Sequence, residues 1–341
     1  LEGEMSYIIS DDYINGNFSL DEAQEKMAFF HAETFDPCQI CLKDFATGEL
    51  NTLTAVNKAL LEARQFGEVE EVWTKGQDGY DIHGWILTPP GFDPEQTYPS
   101  ILEIHGGPQT QYGRTFVHEF HYLAAQGYVV YYSNPRGGQG YGNGHAGAIY
   151  SQWGTVDYDD VMAWVDYVAD LPYIDSERIG VTGGSYGGYM TGVIIGRTNR
   201  FKAAAPQRMV SNLVSFHGSS DMNWKVKYLV GLEGEPWNDL ENYWKMSPIS
   251  GVGNATTPTL LIHSLSDLRC DREQAEQMFV ALKMQGVDTE MVLFPDESHG
   301  LSRGGRTDRR IERLGHIARW MNKYLQPKKD EESAEESAAE G

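Results

Sequence analysis

The segment Gly183-Gly184-Ser185-Tyr186-Gly187-Gly188 has the residue types and spacing of a reactive serine. It is a G-x-S-x-G pattern directly after a strand-like run, Arg178–Thr182, and directly before a helix-compatible stretch, Tyr189–Gly196. A serine on so sharp a strand-to-helix turn has a strained backbone and crowded neighbours. Glycines at 183 and 187 remove the Cβ atoms that would clash. The helix amino terminus beneath adds positive potential, and the Tyr186 N–H is free to meet a developing oxyanion. The competing reading is a glycine-rich turn such as a nucleotide loop, and the strand–turn–helix placement favours the nucleophile.

A serine alcohol is a weak nucleophile until a base, itself oriented by a third group, takes its proton. On such an elbow the partners follow in the order acid, then histidine, each beyond a strand end. Pro258–Ser264 has a buried-strand pattern and leads into Ser266-Asp267-Leu268-Arg269. Thr289–Phe294 is the next strand pattern, followed by Pro295-Asp296-Glu297-Ser298-His299-Gly300. His299 is the candidate base and Asp267 the candidate acid. Asp271 and Asp296 compete with Asp267. Asp271 lies further from the strand end and suits a helix cap, whereas Asp296 shares the loop of His299 and is badly placed to reach across to it. Ile104-His105-Gly106-Gly107-Pro108 follows another strand pattern, and its glycine pair lets backbone N–H groups face a substrate as a second oxyanion donor. Read alone, that segment is also a plain Gly-Gly-Pro turn.

The elements that must hold these residues begin near residue 66. Val69–Thr74 and Ile82–Thr88 read as strands across a turn at Gln77-Asp78-Gly79, and Pro89-Pro90-Gly91 breaks the chain after them. Ser100–Ile104, Tyr128–Ser133, Arg178–Thr182, Thr259–His263 and Thr289–Phe294 follow as strands. Between and after them come helical patterns: Val161, Trp164, Val165 and Val168 on one face, residues 272–285, and 308–325 with Ile311, Leu314, Ala318, Met321 and Leu325 on a stripe. Such alternation predicts an α/β fold, a mostly parallel sheet with helices on both faces. Residues 1–65 differ, with short strands expected at Ser6–Ser10, Lys26–Ala32, Gln39–Phe45 and Leu50–Thr54. Four strands in so short a span match one propeller blade, whose bare edges predict self-association of the chain, a homo-oligomer formed through residues 1–65. Residues 326–341 are acidic and of low complexity, and are expected to be disordered.

Composition narrows the function. The chain has 341 residues, 40% hydrophobic and 22% charged, which is a globular balance. Its net charge of −22 makes a nucleic-acid partner a poor expectation. Residues 1–80 carry 16 acids against 5 bases and 330–341 carry six acids, so the acidity sits at the ends and reads as solubility. There is no run of apolar residues long enough to span a membrane. Cys38 and Cys41 have CxxC spacing but no second ligand pair nearby, so neither metal nor disulfide is expected. No signal-peptide pattern is present, and the chain begins at Leu1; the expectation is a processed or truncated cytoplasmic protein.

Together, HGGP at 105–108, NPRGGQGYG at 134–142, GGSYGGYMT at 183–191, D-x-R at 267–269 and ESHG at 297–300 resemble the prolyl oligopeptidase family in order and spacing. The nearest branch is the acylaminoacyl-peptidase-like one. The resemblance covers residues 66–325 and implies an α/β-hydrolase fold and a serine peptidase acting on short peptides or acylated amino acids without a cofactor. It implies Ser185 as nucleophile, Asp267 as acid, His299 as base, and the N–H groups of Tyr186 and Gly107 as oxyanion donors. Arg269 corresponds to an arginine that holds the substrate carbonyl or acyl group, and a surface ion pair is its alternative role. Tyr141 and Arg136 belong to a family motif and read as scaffold. Residues 1–65 then resemble the last blade of a β-propeller whose other blades are missing here. The family often has an acid soon after the strand ending at His263, where this chain has Ser264-Leu265-Ser266. A carboxylesterase using the same triad is the alternative activity, and a non-catalytic hydrolase-like binding domain is a third. Phe216, Trp224, Tyr228 and Val230 are candidates for a side-chain pocket.

Overall fold

The computed structural model describes residues 6–326, except Asp12 and Glu233. Among these residues the strands form two sheets. The first is an antiparallel meander of β1 (Ile14–Leu20), β2 (Lys26–Ala32), β3 (Gln39–Asp44) and β4 (Leu50–Thr52), in that order. The strand expected at Ser6–Ser10 does not form, and Tyr7 projects into solvent at 89% exposure. Strand pairing is decided by the turn rather than by apolar content. The Asp21 carboxylate accepts the N–H groups of Glu25 and Lys26 (2.8 and 3.0 Å), closing a hairpin that pairs Leu20 with Met27 and Ile14 with Ala32. Met27, Phe29 and Cys41 are buried on one face of this sheet, while Phe30 and Ile40 form an exposed cross-strand pair on the other.

The second sheet contains β5 (Val69–Lys75), β6 (Asp81–Leu87), β7 (Tyr98–Ile104), β8 (Val129–Asn134), β9 (Ile174–Gly184), β10 (Ala203–Gln207), β11 (Thr259–Ser264) and β12 (Thr289–Phe294). Its order is β12-β11-β10-β9-β7-β8-β6-β5, parallel throughout except where β6 runs against β5 and β8. The sequence reading misses β10, because three alanines and Pro206 lack a strand signature. On either side of that proline the Ala204 N–H bonds to the Pro258 carbonyl just before β11 and the Arg208 N–H to the Ile262 carbonyl within it, so β10 holds its central place.

Helices cover both faces. On one side lie α1 (His118–Ala124) and α5 (Thr307–Leu325), where Phe120, Tyr128, Ile317, Trp320 and Met321 are buried together. On the other lie α2 (Val156–Ala169), α3 (Tyr186–Arg197) and α4 (Glu273–Met284), with Trp164, Val165, Ile194 and Met278 in one core. The α5 stripe falls on Leu314, Ile317, Ala318, Met321 and Leu325, whereas Ile311, expected on it, is 62% exposed in the first turn. Arg136 binds Asp160 of α2 through two nitrogens (2.8 and 2.6 Å) and Asp78 through a third. The Tyr141 hydroxyl meets His83 of β6 and Asn134 of β8 (2.7 Å each). The segment after β2 meets helix α1 where His121 donates to the Thr34 carbonyl (3.0 Å), beside packing of the Phe35 and Phe66 rings.

Gly84 of β6 lies directly beneath Trp164, and a Cβ there would come within 2.5 Å of the indole. Gly84→Ala is expected to destabilise the fold by about 1–3 kcal/mol through overpacking. Urea denaturation of the two proteins measures this as a lowered midpoint at unchanged slope.

Candidate active site

Strand β9 runs to Gly184, and α3 begins at Tyr186, so Ser185 alone makes the turn. Its backbone sits at φ +62° and ψ −118°, a conformation that L residues seldom adopt and that neighbours must enforce. Here the Ser185 N–H donates to the Gln207 carbonyl at the end of β10 (3.0 Å). On the other side Gly187 presses against the end of β7, where a Cβ would come within 2.0 Å of the Ile104 carbonyl oxygen. The sheet order, with β7 and β10 on either side of β9, therefore shapes the elbow.

His299 and Asp267 arrive from the loops after β12 and β11. His299 Nδ1–H donates to Asp267 Oδ2 (2.7 Å). The other carboxylate oxygen accepts the backbone N–H groups of Arg269 and Cys270 (2.9 Å each), so the buried Asp267 carboxylate is fully engaged. The rival acids lie elsewhere: Asp271 accepts the Glu273 N–H at the start of α4, and Asp296 is exposed at φ +60°. Ser185, Tyr186, Gly107, His299 and Arg269 line one cavity of about 410 Å³. No hydrogen bond joins Ser185 to His299 among the described residues; in unliganded hydrolases that contact commonly tightens only with substrate. Arg269 donates to Asp221 (2.6 Å) while remaining on the cavity wall, so it combines the ion pair with a position facing the cavity.

Of the four expected pocket residues, Phe216 and Val230 line this cavity, together with Trp153, Val210 and Met222. Trp224 and Tyr228 are 65% and 68% exposed, because the helix Asn223–Val230 turns Val230 inward and those two outward. Cys38 is partly buried, Cys41 is enclosed in the small sheet, and both thiols are free. Among the described residues no group of three or more His, Cys, Asp or Glu side chains is arranged to hold a metal ion.

Four further groups act on the site and carried no clear sequence signal. The Tyr186 hydroxyl donates to Asp157, buried at the start of α2, which fixes a residue on the cavity wall. In the sequence Asp157 reads as an ordinary first-turn acid. His263 Nε2 donates to the Cys270 carbonyl (2.7 Å) behind Asp267, and burial lowers its pKa and keeps it neutral. Cys270 itself lines the cavity near Ser185, and burial pushes its thiol up, so it stays protonated. Arg208, immediately after the unrecognised β10, places its guanidinium over Gly184, where a Cβ would come within 2.5 Å of Nη2.

A parallel sheet with helices on both faces, a serine on a strand–helix elbow and an Asp–His pair at later strand ends define an α/β-hydrolase. The sequence profile of the prolyl oligopeptidase family matches residues 114–328, and the chain belongs to that family. It is 42% identical over 93% of its length to "Uncharacterized peptidase YuxL" of Bacillus subtilis (strain 168), covering 48% of that protein. It is 32% identical over 74% of its length to "Dipeptidyl-peptidase 5" of Porphyromonas gingivalis, covering 38% of it. A solved acylaminoacyl peptidase in complex with Z-Gly-Gly-Phe-chloromethyl ketone superposes with a TM-score of 0.89 at 30% identity, over 96% of this chain and 52% of that one. The chain thus spans about half the length, or less, of the relatives it matches. Among the described residues no helix is long and apolar enough to cross a membrane.

Burial lowers the pKa of His299, as do the nearby cations Arg208 and Arg303, while Asp267 works in the opposite direction; the first effects win and the pKa falls below 6.5. Its imidazole is therefore expected to remain neutral down to a lower pH than an exposed histidine. An NMR titration of the histidine Hε1 resonances checks this, with Arg303→Gln expected to move the His299 midpoint upward.

Proposed function

We propose that this chain is the catalytic part of a serine peptidase that cleaves short peptides, releasing an acylated amino acid or a dipeptide. The observation that carries the reading is the convergence on one cavity of the Ser185 elbow and the His299–Asp267 pair at 2.7 Å. His299 takes the Ser185 proton as Ser185 Oγ attacks a carbonyl carbon. Asp267 holds the imidazole in the tautomer with Nδ1 protonated and stabilises the imidazolium that forms. The N–H groups of Tyr186 and Gly107 meet the oxyanion, each donor contributing roughly 3 kcal/mol to the transition state. The carbon–nitrogen bond breaks, the proton on His299 passes to the leaving amine, and water then hydrolyses the acyl-enzyme by the same steps in reverse.

The apolar wall of Trp153, Val210, Phe216 and Met222 suits the side chain of the acyl residue. Arg269, held by Asp221 at the rim, suits a carbonyl of the acyl part. That arginine favours a peptidase over a carboxylesterase, since a simple ester has no second carbonyl to hold. Relatives named as a peptidase and a dipeptidyl-peptidase, and a structural neighbour bound to a peptidyl ketone, support the same direction. Residues 66–325 constitute the catalytic domain in this reading, and 1–65 correspond to one propeller blade.

Ser185→Ala and His299→Ala are each expected to reduce kcat by about 10⁶-fold on an N-acetyl-aminoacyl anilide. The mechanism requires no metal, so activity is expected to survive a chelator. Retention of near-wild-type turnover by either variant would overturn the assignment, and turnover of a p-nitrophenyl ester without the anilide would favour the esterase. The exposed apolar residues of the small sheet, Phe18, Phe30 and Leu50 among them, support self-association through residues 1–65. Sedimentation velocity over a wide concentration range checks this, with a dimer or larger species expected as concentration rises and a strict monomer counting against it.

A further inference from the structure

A second cavity, of about 260 Å³, adjoins the first. Gly106, Thr110, Arg208 and Arg303 line both, so these residues form the partition between them. The two spaces differ in character. The first carries the apolar wall opposite Ser185, whereas the second is enclosed by Glu103, Glu119, Gln207, Arg310 and Arg313 beyond the partition.

Its charge does not balance. Arg313 is buried and paired through Nη1 with Glu119 (2.8 Å) and Gln207, although its Nε has no partner among the described residues. Glu103 is fully enclosed, and burial together with the neighbouring Glu119 carries its pKa well up, toward the uncharged form. Arg208, Arg303 and Arg310 make no side-chain hydrogen bond or ion pair among the described residues, and the Arg208 Nε is buried without a partner. In a chain with 49 acids and 27 bases, three unpaired arginines, two of them on the wall of the Ser185 cavity, form a local excess of positive charge. Arg208 is also held in place: its backbone has φ +39°, its N–H donates to the Ile262 carbonyl (2.7 Å), and its guanidinium fills the space that a side chain at 184 would need.

Position gives this charge a direction. Arg208 and Arg303 line the cavity that also holds Ser185 and His299, and both face the second cavity as well. With the apolar wall given to the acyl residue, the cationic partition is the part of the cavity that remains for a departing amine. We propose that Arg208 and Arg303 form a carboxylate subsite for the leaving group, selecting peptides whose free C-terminus lies one or two residues beyond the cleaved bond. This rests on the peptidase reading above. Guanidinium groups match a carboxylate in geometry and charge, and a carboxylate is the partner the partition lacks. Arg269 is not equivalent, since Asp221 already occupies its fork.

The test compares N-acetyl-Phe-Ala with its C-terminal amide, in turnover by the unaltered protein and in calorimetric binding to Ser185→Ala. N-acetyl-Phe p-nitroanilide, which has no leaving-group carboxylate, reports separately on the peptidase reading. The acid is expected to exceed the amide by about tenfold or more in kcat/KM and in affinity, as for a charge-assisted hydrogen-bond pair. Arg208→Gln and Arg303→Gln are each expected to reduce that ratio severalfold; Arg303 is exposed, so its variant serves even if Arg208→Gln does not fold. Equal handling of acid and amide alongside anilide cleavage would overturn the subsite and leave the peptidase standing. A ratio unchanged in both variants would do the same. Cleavage of none of the three compounds would remove the peptidase reading, and the subsite with it.

Discussion

The unusual backbone of Ser185 is the constraint on which the rest of the site depends. A residue at φ +62° and ψ −118° does not stay there of its own accord. It is held by the Gln207 carbonyl on one side and by close passage of Gly187 past Ile104 on the other. Those two contacts belong to β10 and β7, the strands flanking β9. The strand order is therefore what makes the elbow possible, and the helices packed on both faces hold that order rigid. The same turn starts α3, so Ser185 also stands at the amino end of that helix, immediately before Tyr186.

Around that turn the protein buries charge selectively. Asp267 is enclosed, yet both its oxygens are used: one by His299, the other by two backbone N–H groups. A buried carboxylate so satisfied is fixed in place and can orient an imidazole. Asp157 is enclosed with the Tyr186 hydroxyl, and there burial raises the carboxyl pKa. Arg208 is treated differently. Burial, then Arg303 and Arg313, push its pKa down to about 10, which still leaves it charged near neutral pH. An ionised group kept without a partner is costly in a folded protein, and such groups cluster where a ligand will supply the missing charge.

The sequence was most informative where local chemistry alone decides structure. G-x-S-x-G between a strand pattern and a helix pattern pointed to the turn at Ser185, and the structure pairs Asp267 with His299, each placed by the sequence after a later strand. The helix of Trp164 and Val165 was equally plain from its period. What stayed hidden depended on distant partners. Strand β10 has no strand chemistry of its own and exists because β9 and β11 recruit it. Strand β1 was overlooked in favour of Ser6–Ser10, because pairing follows the Asp21 turn and not the apolar run. Missing β10 also concealed Arg208, which gains meaning only once it is placed beside β9. Asp157 and His263 were hidden for a similar reason: burial converts ordinary residues into supports, and burial is a property of the fold.

Gly184 shows how one position can serve two purposes. Glycines 183 and 187 are explained by backbone clashes within the elbow, but at 184 the obstacle is the Arg208 side chain. A larger residue there would push the guanidinium away from the partition between the two cavities. The glycine thus couples the strand that leads to Ser185 with a charge on the wall of the cavity that holds His299. Through that coupling the loops after neighbouring strands divide the space above the serine into an apolar half and a cationic half. An amide substrate is itself asymmetric about its carbonyl, with an acyl residue on one side and an amine on the other. A site with one uniform environment would bind either orientation, whereas under the proposed subsite a divided site would hold the scissile bond in the one direction that places the leaving nitrogen near His299.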